Sequence, residues 1–71
     1  MSLGDLIRVM CPGDPVMVFS VADPEYGQVE EHFDGTVADL RSSASLQLKN
    51  SSVVFVSWFD DGLEICVEHN G

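Results

Sequence analysis

The chain has 71 residues and carries 12 Asp and Glu against 3 Lys and Arg, a formal net charge of −9. A chain this short forms one domain with a small core, burying about 60% of the surface that its unfolded form exposes. The acidic excess argues against direct binding to DNA or RNA and favours a partner with a basic surface; the competing reading of the same charge is plain solubility.

A hydrophobic fraction of 45%, spread in short runs, predicts a globular domain rather than a disordered one. Met1-Ser2-Leu3-Gly4-Asp5 does not read as a secretory leader, and Val53-Val54-Phe55-Val56 is too short to span a membrane. The expected location is the cytoplasm of a bacterial or phage-infected cell. Leu6-Ile7-Arg8-Val9-Met10 reads as a first strand, broken by Cys11-Pro12-Gly13-Asp14-Pro15. Val16 to Val21, rich in β-branched residues, reads as a second strand pairing antiparallel with the first. The next stretch has two readings. Asp23-Pro24-Glu25 is a helix start, and a short helix over residues 24–33 puts Tyr26, Val29 and Phe33 on one face. Asp34-Gly35 is also a two-residue hairpin turn, the favoured reading. That hairpin pairs Phe33 with Thr36 and Val29 with Leu40, but sets Glu30 against Asp39, an unfavourable like-charge pair.

Arg41-Ser42-Ser43-Ala44-Ser45 reads as a flexible polar loop, Leu46-Gln47-Leu48 as a short edge strand, and Lys49-Asn50-Ser51-Ser52 as a turn. Val53 to Phe59 is the strongest strand, and its unbroken apolar character predicts a central, buried position. Asp60-Asp61-Gly62 turns the chain back into Leu63 to Val67, with Leu63, Ile65 and Val67 on one face and Glu64 and Cys66 on the other. Glu68-His69-Asn70-Gly71 should fray. The expected core is Ile7, Val18, Phe19, Val54, Val56 and Ile65. Five or six short strands with tight turns predict a mainly β fold, a small antiparallel SH3-like barrel, because closure removes exposed edges. The alternative is an α+β fold with the short helix at 24–33.

Gly4-Asp5-Leu6-Ile7-Arg8-Val9 followed by Gly13-Asp14-Pro15-Val16-Met17-Val18 resembles the opening of the YodC-like small bacterial proteins: a Gly-Asp strand, a Gly-x-Pro-x-Met turn and a second strand. That family's later strand, ending in an aromatic followed by Asp-Gly, is matched by Phe33-Asp34-Gly35 or by Phe59-Asp60-Asp61-Gly62. The resemblance covers residues 1–20 well and the rest loosely. This chain is longer, and the family's central basic residues are missing. The resemblance implies a small SH3-like β fold and no established activity. By size and charge alone, the chain also resembles phage-encoded inhibitors, including anti-CRISPR and anti-restriction proteins.

Glu30, Glu31, His32 and Asp34 form the densest ionisable cluster. On a regular strand Glu30 and His32 share one face while Glu31 and Phe33 share the other, which spreads the ligands a metal would need. A solvated acidic hairpin is the simpler reading. Cys11 and Cys66 have no second ligand at zinc-type spacing and read as reduced thiols, with a disulfide between the terminal regions as the alternative. Neither His32 nor His69 has a nucleophile beside it in sequence, and no phosphate loop or nucleophile elbow is present. No catalytic residue, metal or cofactor is expected. Trp58 and Phe59 are adjacent, so a regular strand sends one inward and the other outward. An exposed ring beside Asp60 and Asp61 makes a mixed apolar and acidic patch, with two core rings as the alternative.

The expected function is that of a non-enzymatic, monomeric acidic domain. It occupies a basic, nucleic-acid-binding surface of a partner protein, as a DNA-mimic inhibitor does. The expected contact residues are Asp23, Glu25, Glu30, Glu31, Asp34 and Asp39, with Trp58, Asp60, Asp61 and Glu64 as a second patch. One alternative is a bacterial housekeeping SH3-like module that binds a peptide or protein. A Tudor-like cage for a modified cation is weakened by there being only six aromatic residues (Phe, Tyr and Trp together).

Overall fold

The computed structural model describes residues 1–23, 25–60 and 62–68. Its first element is a helix where a strand is expected. Ser2 Oγ accepts from the Asp5 amide at 3.2 Å, Asp5 lies in the first turn, and Leu3 and Ile7, four residues apart, are both buried. Cap and apolar spacing together outweigh the β preference of Ile7 and Val9, and α1 spans Leu3–Arg8. The far end of α1 is closed by Arg41. Its guanidinium donates to the carbonyls of Ile7 (Nε, 3.1 Å), Met10 (2.8 Å) and Arg8 (3.3 Å). Ile7 and Arg8 end the helix and Met10 lies just beyond it, so one side chain ties down the helix end and the chain leaving it. Arg41→Ala should therefore cost about 1–3 kcal/mol, and Arg41→Lys should recover only part of it because an ammonium cannot fork. Urea melts of the two variants against the native chain check this.

The Cys11 to Pro15 stretch is a connector between α1 and the sheet, not a hairpin turn. The carbonyls of Pro12 and Asp14 accept the amides of Ala38 (2.9 Å) and Val37 (3.0 Å) and so seat the start of a second helix. β1 spans Pro15–Asp23 and β2 spans Gln28–Thr36; they pair antiparallel from Pro15↔Thr36 to Asp23↔Gln28. The chain therefore reverses between Asp23 and Gln28. Asp23 Oδ1 accepts the amides of Glu25 (3.1 Å) and Tyr26 (3.4 Å) there, and Gly27 supplies a φ of +69°. Neither reading of this stretch holds over the described residues. β2 runs straight through Asp34-Gly35, which avoids the Glu30–Asp39 clash, and residues 28–33 are strand rather than helix. The register slips between Val18 and Phe19: Val18 faces Phe33 and Phe19 faces Glu31, leaving His32 as the extra residue of a bulge. Glu31 and Phe33, expected on one face, are thereby sent to opposite faces.

α2 spans Val37–Ser43, with Thr36 Oγ1 accepting from the Asp39 amide at 3.3 Å and with Val37 and Leu40 buried. It replaces the start of the expected loop at Arg41 to Ser45. α3 spans Leu46–Lys49, capped by Ser45 Oγ on the Leu48 amide at 3.1 Å, and replaces the expected edge strand. β3 spans Val53–Phe59 and β4 spans Gly62–Val67. They form a hairpin closing at Phe59↔Gly62, as expected, although Asp61 lies outside the described residues. Gly62 has a φ of +144°, and a Cβ there would stand 2.7 Å from the Pro15 carbonyl oxygen, so glycine lets β4 begin close to β1.

The described strands form one open, mixed sheet in the order β2-β1-β4-β3, with β1 and β4 parallel and the other pairs antiparallel. The domain is mainly β, as expected, but it is not a closed barrel. The described residues hold four strands rather than five or six. Leu3 and Ile7 of α1 and Val37 and Leu40 of α2 pack on one sheet face against Val16, Val18, Leu63, Ile65 and Val67. Helices of six, seven and four residues pack over the two central strands, whereas β3 adds only the half-buried Val53 to that packing. The expected central position of Val53 to Phe59 is therefore wrong: β3 is an edge. Val54 and Val56, expected in the core, are 59% and 39% exposed, while Ile7, Val18 and Ile65 are buried as expected. Phe19 is half-buried on the opposite face. The expected fraying of the C-terminus falls largely on residues 69–71, outside the described residues. Among the described residues, no helix is long and apolar enough to cross a membrane.

Candidate protein-binding face

All three helices contribute to one side of the sheet, so the other side is uncovered. Strand register arranges that side in rows. Asp34, Met17, Glu64 and Ser57 form one row across the four strands, and Glu31, Phe19, Cys66 and Phe55 form the next. Val29 and Val21 begin a third. The carboxylates sit at the β2 side, with Glu64 further in, and the apolar side chains sit toward β3. Phe19 and Phe55 meet edge to face with ring centroids 6.0 Å apart. They flank Cys66, which is only 2% exposed on an otherwise open face.

Burial pushes the Cys66 thiol above its ordinary value of 9.0, partly offset by a backbone hydrogen bond from Val21. A raised acid favours the folded chain while the thiol stays protonated. That contribution is complete below pH 9.0 and is lost as pH rises through the folded value. Cys11 is exposed and both thiols are free. A disulfide-exchange reagent should therefore label Cys11 fast at neutral pH and Cys66 only as fast as the fold opens. Two equally fast thiols would contradict this burial.

The expected contact residues divide among several places. Glu31, Asp34 and Glu64 share the uncovered face. Asp23 ends β1 and builds the turn in which Glu25 lies, and Asp39 stands just beyond the end of β2, in α2. Glu30 is opposite Ser20, whose side chain is buried on the helix-covered side, so Glu30 leaves the group. Trp58 is opposite Leu63 on that same side, at the far edge of the sheet, and is 77% exposed. Asp60 lies in the β3–β4 turn, and Asp61 is outside the described residues. Of Trp58 and Phe59, expected to divide between core and solvent, neither enters the core; they lie on opposite faces of an edge strand.

A cleft of about 600 Å³ opens on the helix side, lined in part by Glu30, His32, Phe33, Leu48 and Glu68. His32 Nε2 lies 2.8 Å from Ser20 Oγ, a pairing that no sequence spacing signals because the bulge creates it. Ser20 has no exposed surface, so its hydroxyl cannot meet a substrate carbonyl, and the bond satisfies a buried polar group. Among the described residues, no group of three or more His, Cys, Asp or Glu side chains converges on a metal position. No protein-family model, curated protein or solved structure matches this chain.

Proposed function

We propose that the chain is a non-enzymatic, cytoplasmic protein-binding domain that occupies a basic, nucleic-acid-binding surface of a partner protein, in the manner of a DNA-mimic inhibitor of the anti-CRISPR kind. The observation that supports this reading is the uncovered sheet face, where Glu31, Asp34 and Glu64 border Met17 and the Phe19–Phe55 pair. Adjacent rows on one sheet face stand about 7 Å apart. Their carboxylates are sparser than the charges of duplex DNA, one per ~1.7 Å of axis. Charge alone is too thin to compete with a duplex. The apolar rows must contribute contact area, while the carboxylates steer and orient.

The test is a displacement titration. A labelled duplex is bound to each of a panel of DNA-binding effectors, including RNA-guided nucleases, and the chain is titrated in. Release of duplex from at least one effector, weakening as salt rises, is the expected result. Retention of the duplex by every effector at low salt would overturn the reading.

A further inference from the structure

All 12 carboxylates lie outside residues 40–59, a stretch that carries Arg41 and Lys49 and ends with β3. β3 itself has no charged residue. Met1 and Ser2 cover its beginning through the Ser2↔Ser52 bridge and the Val53 amide bond to the Met1 carbonyl at 2.8 Å. From Val54 to Phe59 the outer edge meets no other strand among the described residues. Natural sheets blunt such edges with lysine, proline or an inward-pointing charge, and this one has none of them. Val54, Phe55, Val56, Trp58 and Phe59 are 59%, 48%, 39%, 77% and 52% exposed. Phe55 and Phe59 face the uncovered side and Trp58 the helix side, so at 150–250 Å² per aromatic side chain the edge exposes roughly 200 Å² of ring on each side.

We infer that β3 is the interface of a homodimer, in which the β3 edges of two copies pair antiparallel about a two-fold axis and continue the sheet to eight strands. A second copy fits this edge for electrostatic reasons. The acidic β2 edges then lie at the two outer ends, seven strand spacings or about 34 Å apart. That is about four times the Debye length of about 8 Å at physiological salt, so their repulsion is largely screened. Head-to-tail pairing of β3 with β2 is the competing geometry. It would press Phe and Trp against Glu30, Glu31 and Asp34, and it would not close. The exposed apolar area falls short of the ~800 Å² per partner of a standard interface, so the dimer forms reversibly with concentration. The expectation of a monomer holds only for dilute protein.

Sedimentation equilibrium of the isolated chain, from micromolar to millimolar protein and at low and raised salt, tests this without any partner. The expected result is a monomer–dimer equilibrium that strengthens with salt, as repulsion between copies of charge −9 is screened. Binding to a basic partner has the opposite salt dependence, so the two readings fail separately. Trp58 is the chain's one tryptophan, and its emission should shift to the blue in step with dimer mass. Trp58→Lys, at an exposed position, should weaken association at least tenfold while circular dichroism is unchanged. A monomer at every concentration and salt, growth past the dimer, or an unweakened Trp58→Lys dimer would each overturn the inference.

Discussion

Ile65→Asp should unfold the domain, whereas Val56→Asp should leave it folded. The two residues face each other across the β3–β4 ladder, so local strand context is nearly matched. Ile65 has no exposed surface and sits in the core between β1 and β3. A carboxylate there is stripped of water with no cation beside it, a cost of several kcal/mol. A domain of this length has only about 4–10 kcal/mol of stability, at 0.05–0.15 kcal/mol per residue. At Val56, 39% exposed on the edge strand, an aspartate keeps its charge in water. The expected cost is about 1 kcal/mol, a fall in Tm of about 4–8 °C. Far-UV circular dichroism and thermal melts of both variants decide it. Unfolding by Val56→Asp would mean that β3 is buried after all.

A second large effect is expected from Glu31→Lys with Asp34→Lys. Each reversal adds two charges, so the double variant moves from −9 to −5. Both side chains are exposed, and the fold should survive. Affinity for a basic partner should fall by about ten- to a hundredfold, at 1.4 kcal/mol per decade, and its salt dependence should flatten. The control is Asp5→Lys with Asp60→Lys, which reaches the same −5 at positions off the uncovered face. If affinity follows net charge alone, both double variants lose equally, and the acids serve only solubility. If the uncovered face is the contact, the control retains most of the binding.

What the sequence made legible follows from where its signals are local. The alternation of Leu63, Ile65 and Val67, the Asp60–Gly62 turn and the continuous strand at Val16 to Val21 were all readable, because strand periodicity and turn chemistry need no distant partner. Three helices were missed although each has a Ser or Thr cap: Ser2 with Asp5, Thr36 with Asp39, and Ser45 with Leu48. They are short, and their apolar residues mimic strand fragments. The edge position of β3 could not be read from its composition. An apolar strand is ordinarily central, and β3 is apolar without being covered. On the uncovered face, the bulge at His32 decides which acids face outward together. A one-residue slip leaves no mark in composition, so Glu31 was separated from Glu30 only by the register.

The most direct measurement is a two-dimensional amide NMR titration of the labelled chain with an arginine-rich peptide, at low and raised salt. The expected result is shifts concentrated on Val29, Glu31 and Asp34 of β2 and on Met17, Phe19 and Glu64, fading together as salt rises. Shifts spread over Asp5, Asp14, Asp39, Asp60 and Glu68 in proportion to their exposure would contradict it, as would shifts confined to the cleft beside His32.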